Sequence, residues 1–253
     1  LDQRGLVQWP MVMGGIVPIV NLEGVGPSDL VLDGQTLGDI YTGKIKRWND
    51  AALTALNPKA KLPDLPIIVI RRSDGSGTTY NFTYYLSAVN EDFKKKVGTG
   101  EAVEWPVGIG GKGNDGVANN VMQTKGSIGY VELAFAIQNG LAYTDMINAE
   151  GKRVKPKFES FQAAAQNADW AKADHFNLVL ANQPGASAWP MTVATFILMP
   201  IEAEDTEASA AALKFFDWAY SNGDDMAKQL DYIPMPDSVV AKVKSAVWSQ
   251  IKK

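Results

Sequence analysis

The sequence contains no cysteine. Disulfides, thiol nucleophiles and cysteine-ligated zinc are therefore excluded. The compartment stays open, because many exported bacterial chains also lack cysteine. Histidine is nearly as scarce, with His175 alone in "DWAKADHFNLVL". A catalytic triad needs its histidine beside a nucleophile, and a metal site wants several ligands, so a surface or helix-end place is expected for it. No apolar run reaches the ~18 residues of a membrane-spanning helix. A basic field is missing too. The net charge is −4, and short basic runs such as Lys94-Lys95-Lys96 stand beside acids, so no nucleic-acid partner is expected. The chain opens on Leu1 in "LDQRGLVQWPMVMGGIVPIV", with no signal peptide, which reads as the interior of a fold and suggests a processed chain or a fragment.

What is present is the profile of a globular protein. Of 253 residues, 46% are apolar and 21% charged, enough for a large core and for two lobes. "MVMGGIVPIVN" (11–21) reads as a buried strand bent at Gly14-Gly15, and "WPMTVATFILMP" (189–200) as a second long apolar strand. Together they predict a chain that crosses a hinge twice. Between them lie a helix after Asp33-Gly34 with Thr36 as cap, a short helix over 50–56, a parallel-type strand in "LPIIVIRR", and a helix over 78–86. A short helix over 93–97, a helix over 115–123, a strand over 127–131 and helices over 133–139 and 160–166 follow. The C-terminal part reads as two or three helices broken at Asn222-Gly223 and by Pro234 and Pro236. Alternating strands and helices imply an α/β fold.

The stretch "RRSDGSGTTYNFTYYL" (71–86) carries the chemistry. A strand that ends in a glycine-rich turn and opens a helix presents unpartnered N–H groups and the positive end of a helix dipole. Gly75 and Gly77 permit tight backbone turns, Ser76 and Thr78 add hydroxyl donors, and Arg72 offers a planar fork for two oxygens. Asp74 either holds that arginine or caps the helix. In the plainer alternative the turn is an ordinary capped one, with Asp74 as N-cap and both arginines exposed. The Gly-Lys-Ser/Thr of a Walker loop is missing, and a Gly-x-Ser-x-Gly elbow would need glycine where Asp74 stands. Ser76 also has no evident histidine base, so binding without covalent chemistry is the simpler reading. Gly108-x-Gly110-x-x-Gly113 matches a dinucleotide pattern by spacing, but reads more simply as a tight loop with Asn114 or Asp115 capping the next helix. The tryptophans and "LKFFDWAY" (213–220) read as core or hinge packing.

In order along the chain, "LVLDGQTLGDIYTGKIKRWND", "LNPKAKLP", "VIRRSDGSGTTYNFTYYL", "VGTGEAVEWPVGIGGKGNDGVANNV", "GSIGYVE", "AWPMTVATFIL" and "LKFFDWAY" resemble the periplasmic phosphate-binding proteins of bacterial high-affinity phosphate ABC transporters. The resemblance implies an α/β, two-lobed, type II periplasmic binding fold that holds one dehydrated phosphate between its lobes. Residues 1–17 and 190–253 are expected to form a discontinuous first lobe, and 18–189 a second lobe carrying the anion loop. By the resemblance Arg72, Ser76, Gly77 and Thr78 bind phosphate, and Asp74 pairs with Arg72. It further implies a periplasmic location, delivery to a membrane permease, no enzymatic activity, and no cofactor beyond the inorganic phosphate ligand. Members of that family also carry an earlier segment, with a glycine-rich first loop and an aspartate, that this sequence does not contain. The first lobe is therefore expected to be truncated, with apolar surface exposed and a complementing N-terminal segment as a partner. Phosphate keeps a proton at neutral pH and sulfate has none, so a carboxylate acceptor separates the two. By the resemblance that carboxylate belongs to the earlier segment. Two rivals are a binding protein for another oxyanion such as sulfate, molybdate or tungstate, and a phosphoester hydrolase using Ser76.

Overall fold

The computed structural model describes residues 1–170 and 173–252. Ala171 and Lys172 of "DWAKADHFNLVL", and Lys253, lie outside the described residues. In chain order the strands are β1 (Leu6–Val20), β2 (Val31–Leu32), β3 (Ile68–Arg72), β4 (Ile109–Gly111), β5 (Ser127–Glu132), β6 (Ala142–Tyr143), β7 (Asp145–Ile147), β8 (Arg153–Val154), β9 (Thr192–Pro200) and β10 (Ile233–Pro234). The helices are α1 (Gly34–Tyr41), α2 (Ala51–Leu56), α3 (Gly77–Val89), α4 (Glu91–Lys96), α5 (Gly113–Gln123), α6 (Leu133–Gln138), α7 (Phe158–Gln166), α8 (Thr206–Asn222), α9 (Asp224–Gln229) and α10 (Asp237–Lys242).

The long strand β1 organises the molecule. Its first half runs antiparallel to β9, from Leu6 opposite Pro200 to Gly15 opposite Thr192, with a bulge between Pro10 and Val12. β10 flanks the other side at Val12 and Met13. From Ile16 onward the partners change: Ile16 to Val20 pair with β5, and β6 joins at Ile19 and Val20. β3 lies parallel to both β5 and β4. One backbone strand thus belongs to two sheet halves, and the change falls at the two glycines that the sequence marks as a bend. Gly15 has a steric reason to be there. A Cβ on it would lie 2.2 Å from Cε1 of the buried Phe161 ring.

Local chemistry explains most of the element ends. Asp33, not Thr36, caps α1: its carboxylate accepts from the Thr36 N–H, while the Thr36 hydroxyl closes the reciprocal bond at the Asp33 amide. The expected cap is thus displaced three residues, because Thr36 is already in the first turn. Asp50, Asn90 and Asp205 cap α2, α4 and α8 by accepting from a first-turn amide, without the reciprocal bond. α5 departs from expectation. Its N-cap is Lys112, which makes no side-chain cap bond, and neither Asn114 nor Asp115 caps it. Gly111 lets this helix sit close on β4, since a Cβ there would meet the Val117 amide nitrogen at 2.7 Å.

The core runs through both halves, with Trp9, Trp48 and Trp189 fully buried. "LKFFDWAY" is core on one face only. Leu213 is buried and Phe216 meets Trp9 edge-on at 5.6 Å, whereas Phe215 is 60% and Trp218 48% exposed. Phe215 and Trp218 are three apart, so a helix places them on the same outer face. Leu198 of β9 is also exposed.

Candidate functional site

The three parallel strands β3, β4 and β5 end on one side of the sheet, and α/β folds place ligands at such carboxyl ends. Arg72 is the last residue of β3, and α3 starts five residues later. Ser76 is the N-cap of α3: its Oγ accepts from the Thr79 amide at 3.1 Å. The plainer alternative, with Asp74 as cap, therefore does not hold. Asp74 turns the other way and takes Arg72 Nε at 2.8 Å on one oxygen and Nη2 at 2.7 Å on the other. The Arg72 side chain is only 9% exposed.

This pairing sets the local charge. The Arg72 hydrogen bonds, with help from the Gly113 amide at 3.1 Å, hold the Asp74 carboxyl well below the usual carboxylate range. Asp74 in turn raises the arginine further above its ordinary value. The guanidinium is charged at every working pH and held by two teeth of its fork, while Nη1 lies 3.4 Å from Asn114 Oδ1. The glycine-rich loop ahead of α5 serves this pair: it delivers the Gly113 N–H to Asp74 rather than cradling a dinucleotide.

A second set of contacts ties strand to helix. The Tyr130 hydroxyl accepts from the Arg72 amide at 3.3 Å and lies 2.7 Å from Thr79 Oγ1. Its ring stacks on Phe82 at 4.0 Å, and burial pushes its phenol up. The end of β3 and the first turn of α3 are thus fastened to one buried side chain.

At the head of α3 the Ser76 amide donates to the Glu101 carbonyl at 3.1 Å. Among the described residues the amides of Gly77 and Thr78 have no such partner, as the geometry of a helix start requires. These N–H groups, the Ser76 and Thr78 side chains and Arg72 border a cavity of about 450 Å³. Asn81, Asn114 and Glu132 complete this wall, and Val193, Ala194 and Thr195 of β9 form the facing one. All four residues expected to hold the ligand, Arg72, Ser76, Gly77 and Thr78, therefore meet at one cleft, with Asp74 behind them. Its walls come from both sheet halves.

Sequence reasoning missed Tyr130, Asn81 and Glu132, and read Asn114 only as a candidate cap. The signal for Glu132 was available: it ends a strand parallel to β3, so it belongs at the same rim. His175, expected at the surface or a helix end, sits half-buried in a short 3-10 turn, and its carbonyl accepts from Gln8 Nε2 at 3.0 Å. It lines a separate cavity with Val7 and Gln8.

A family profile described as "PBP superfamily domain" matches residues 2–223. The chain is 51% identical over 252 residues to the phosphate-binding protein PstS of Xylella fastidiosa, covering 100% of this chain and 69% of that protein. It is 50% identical over 253 residues to the phosphate-binding protein PstS of Haemophilus influenzae, covering 100% and 76%. Among solved structures, a high affinity periplasmic phosphate-binding protein (PfluDING) bound with phosphate superposes with a TM-score of 0.71 at 20% identity, covering 95% of this chain and 71% of that one.

Proposed function

The chain belongs to the PBP superfamily and, within it, to the bacterial phosphate-binding proteins, and we propose that it captures inorganic phosphate outside the cytoplasm and hands it to an ABC transporter permease. The fold is the two-lobed α/β fold of periplasmic binding proteins. We divide it into residues 1–17 with 190–253 and residues 18–189, which the change of strand partners after Gly15 supports. A periplasmic location is the one that membership of this family supports. No helix among the described residues is long and apolar enough to cross a membrane.

The observation that carries the reading is convergence. A buried guanidinium, two unpartnered amides and two hydroxyls face the same cleft between the sheet halves. We assign phosphate binding to Arg72, Ser76, Gly77 and Thr78, with Asp74 fixing the arginine. Each donor replaces a water of the dehydrated anion, and closure of the cleft lowers the dielectric around all of them.

Binding without hydrolysis is supported by the state of Ser76. Its Oγ accepts the Thr79 N–H as a helix cap, and no side-chain base stands within hydrogen-bond reach among the described residues. His175 lines a different cavity. The protein is accordingly read as a binding protein with inorganic phosphate as its ligand.

Calorimetric titration with inorganic phosphate tests this. Phosphate should bind, and Arg72→Ala should weaken it by about a hundredfold or more, the loss of two charge-assisted hydrogen bonds. Unchanged affinity in that variant would end the assignment. Stronger binding of sulfate or molybdate than of phosphate would transfer the site to another oxyanion.

A further inference from the structure

Glu132 stands where it should do harm. It lines the cleft with Arg72, yet among the described residues no lysine or arginine forms an ion pair with it. A bare carboxylate at an anion site repels the ligand. Its neighbours give it a different task. Oε2 accepts from the Tyr232 hydroxyl at 3.0 Å, and Oε1 accepts from Asn114 Nδ2 at 3.4 Å. Asn114 Oδ1 in turn accepts from Arg72 Nη1 at 3.4 Å, the one edge of the guanidinium that Asp74 leaves free.

Donor chemistry sets the direction of this chain. A carboxylate accepts and cannot donate, so Tyr232 must present its proton and Asn114 its NH2 group. That orientation leaves Asn114 with its oxygen toward Arg72, as the arginine needs. Burial, with the Glu132 charge, pushes the Tyr232 phenol up to about 12, so the proton stays on. Tyr232 sits directly before β10, which pairs with the first half of β1, and its ring lies against Gly14. Glu132 ends β5, opposite Ile16 in the second half. The chain therefore spans the point at which β1 changes partners.

We propose that Glu132 is a positioning residue that joins Tyr232 of one lobe, through Asn114, to the Nη1 edge of Arg72, so that lobe arrangement and anion grip are coupled. This rests on the phosphate-binding reading. Both Asn114 contacts, at 3.4 Å, are long for hydrogen bonds, so the relay has room to tighten when the lobes move together. By linkage, an anion that stabilises the Arg72 pose also favours the lobe arrangement that supports it.

The sign of one substitution decides. Glu132→Gln removes negative charge from an anion cleft, so a bystander carboxylate predicts tighter phosphate binding. The positioning role predicts binding about tenfold weaker, because a neutral carboxamide has one acceptor oxygen, can serve only one of the Tyr232 and Asn114 donors, and loses the charge-assisted strength of both bonds. Tyr232→Phe, which keeps the ring, should weaken inorganic phosphate roughly three- to tenfold. The double variant should be no weaker than Glu132→Gln alone. Additive losses, tighter binding in Glu132→Gln, or a loss of phosphate-over-sulfate preference in place of general weakening each overturn the proposal. Nitrogen-15 NMR of the Arg72 guanidinium without phosphate supplies a readout independent of binding. Both single variants should shift its Nη resonances, and unchanged signals in both overturn the coupling even if phosphate binds. If wild-type protein fails to bind phosphate while the resonances shift as expected, the phosphate reading falls and the coupling stands.

Discussion

At the residue scale, the Arg72–Asp74 pair determines what the cleft can do. A free arginine at the end of a strand would sample many rotamers and lose entropy on gripping an anion. Two short bonds to Asp74 remove that freedom beforehand. The depressed carboxyl also makes stability depend on pH in a defined direction. Its folded value lies below the ordinary aspartate value near 3.9, so the unfolded chain takes up the proton first as pH falls. The stabilisation is present in full above about pH 5 and is lost as pH drops through the folded value. Asp74→Asn should lower the Tm at pH 7 by roughly 2–5 °C, and the gap to wild type should narrow steadily from pH 5 to pH 2 in calorimetric melts. A gap that widens on acidification would contradict the pairing.

At the element scale, the decisive feature is a strand that changes neighbours. β1 needs a point where backbone can serve two sheet halves, and Gly14-Gly15 supplies it. Gly15 has no room for a methyl group against Phe161. Gly15→Ala should therefore cost about 1–3 kcal/mol by overpacking, read as a Tm lower by roughly 3–10 °C. Adding Phe161→Leu should recover part of that loss. No recovery would mean that backbone conformation, not the ring contact, requires glycine there. The same scale explains the anion loop. Tyr130 fastens the end of β3 to the first turn of α3, so amides and guanidinium keep one relative geometry.

At the scale of the whole molecule, the cleft exists because β9 faces the head of α3 across the change in β1. In the two-lobed reading, closure comes from small backbone changes where β1 changes partners. Saturating inorganic phosphate should reduce the radius of gyration in solution scattering, and Arg72→Ala should abolish that change. A scattering curve indifferent to phosphate in a protein that binds it would place the ligand away from the cleft between the lobes.

Local sequence determined a good deal of this protein. The strand–turn–helix order around Arg72, the α/β alternation and the breaks near Gly223 and the C-terminal prolines were all readable, because they depend on periodicity and on glycine and proline backbone limits, whereas the bend expected at Gly14-Gly15 is a change of strand partners within one unbroken strand. The meeting of Arg72, Ser76, Gly77 and Thr78 at one cleft was legible too, since the four lie within seven positions. Three matters were settled only by tertiary structure. The residues left Asp74 two places, the arginine or the helix cap, and folding chose the arginine, with Gly113, 39 residues further on, adding its amide to the carboxylate. Phe215 and Trp218 lie outside because α8 turns only one of its faces toward Trp9. Glu132 acquires its place from Tyr232, 100 residues away, and from Asn114, since a carboxylate has no role until folding decides which donors surround it.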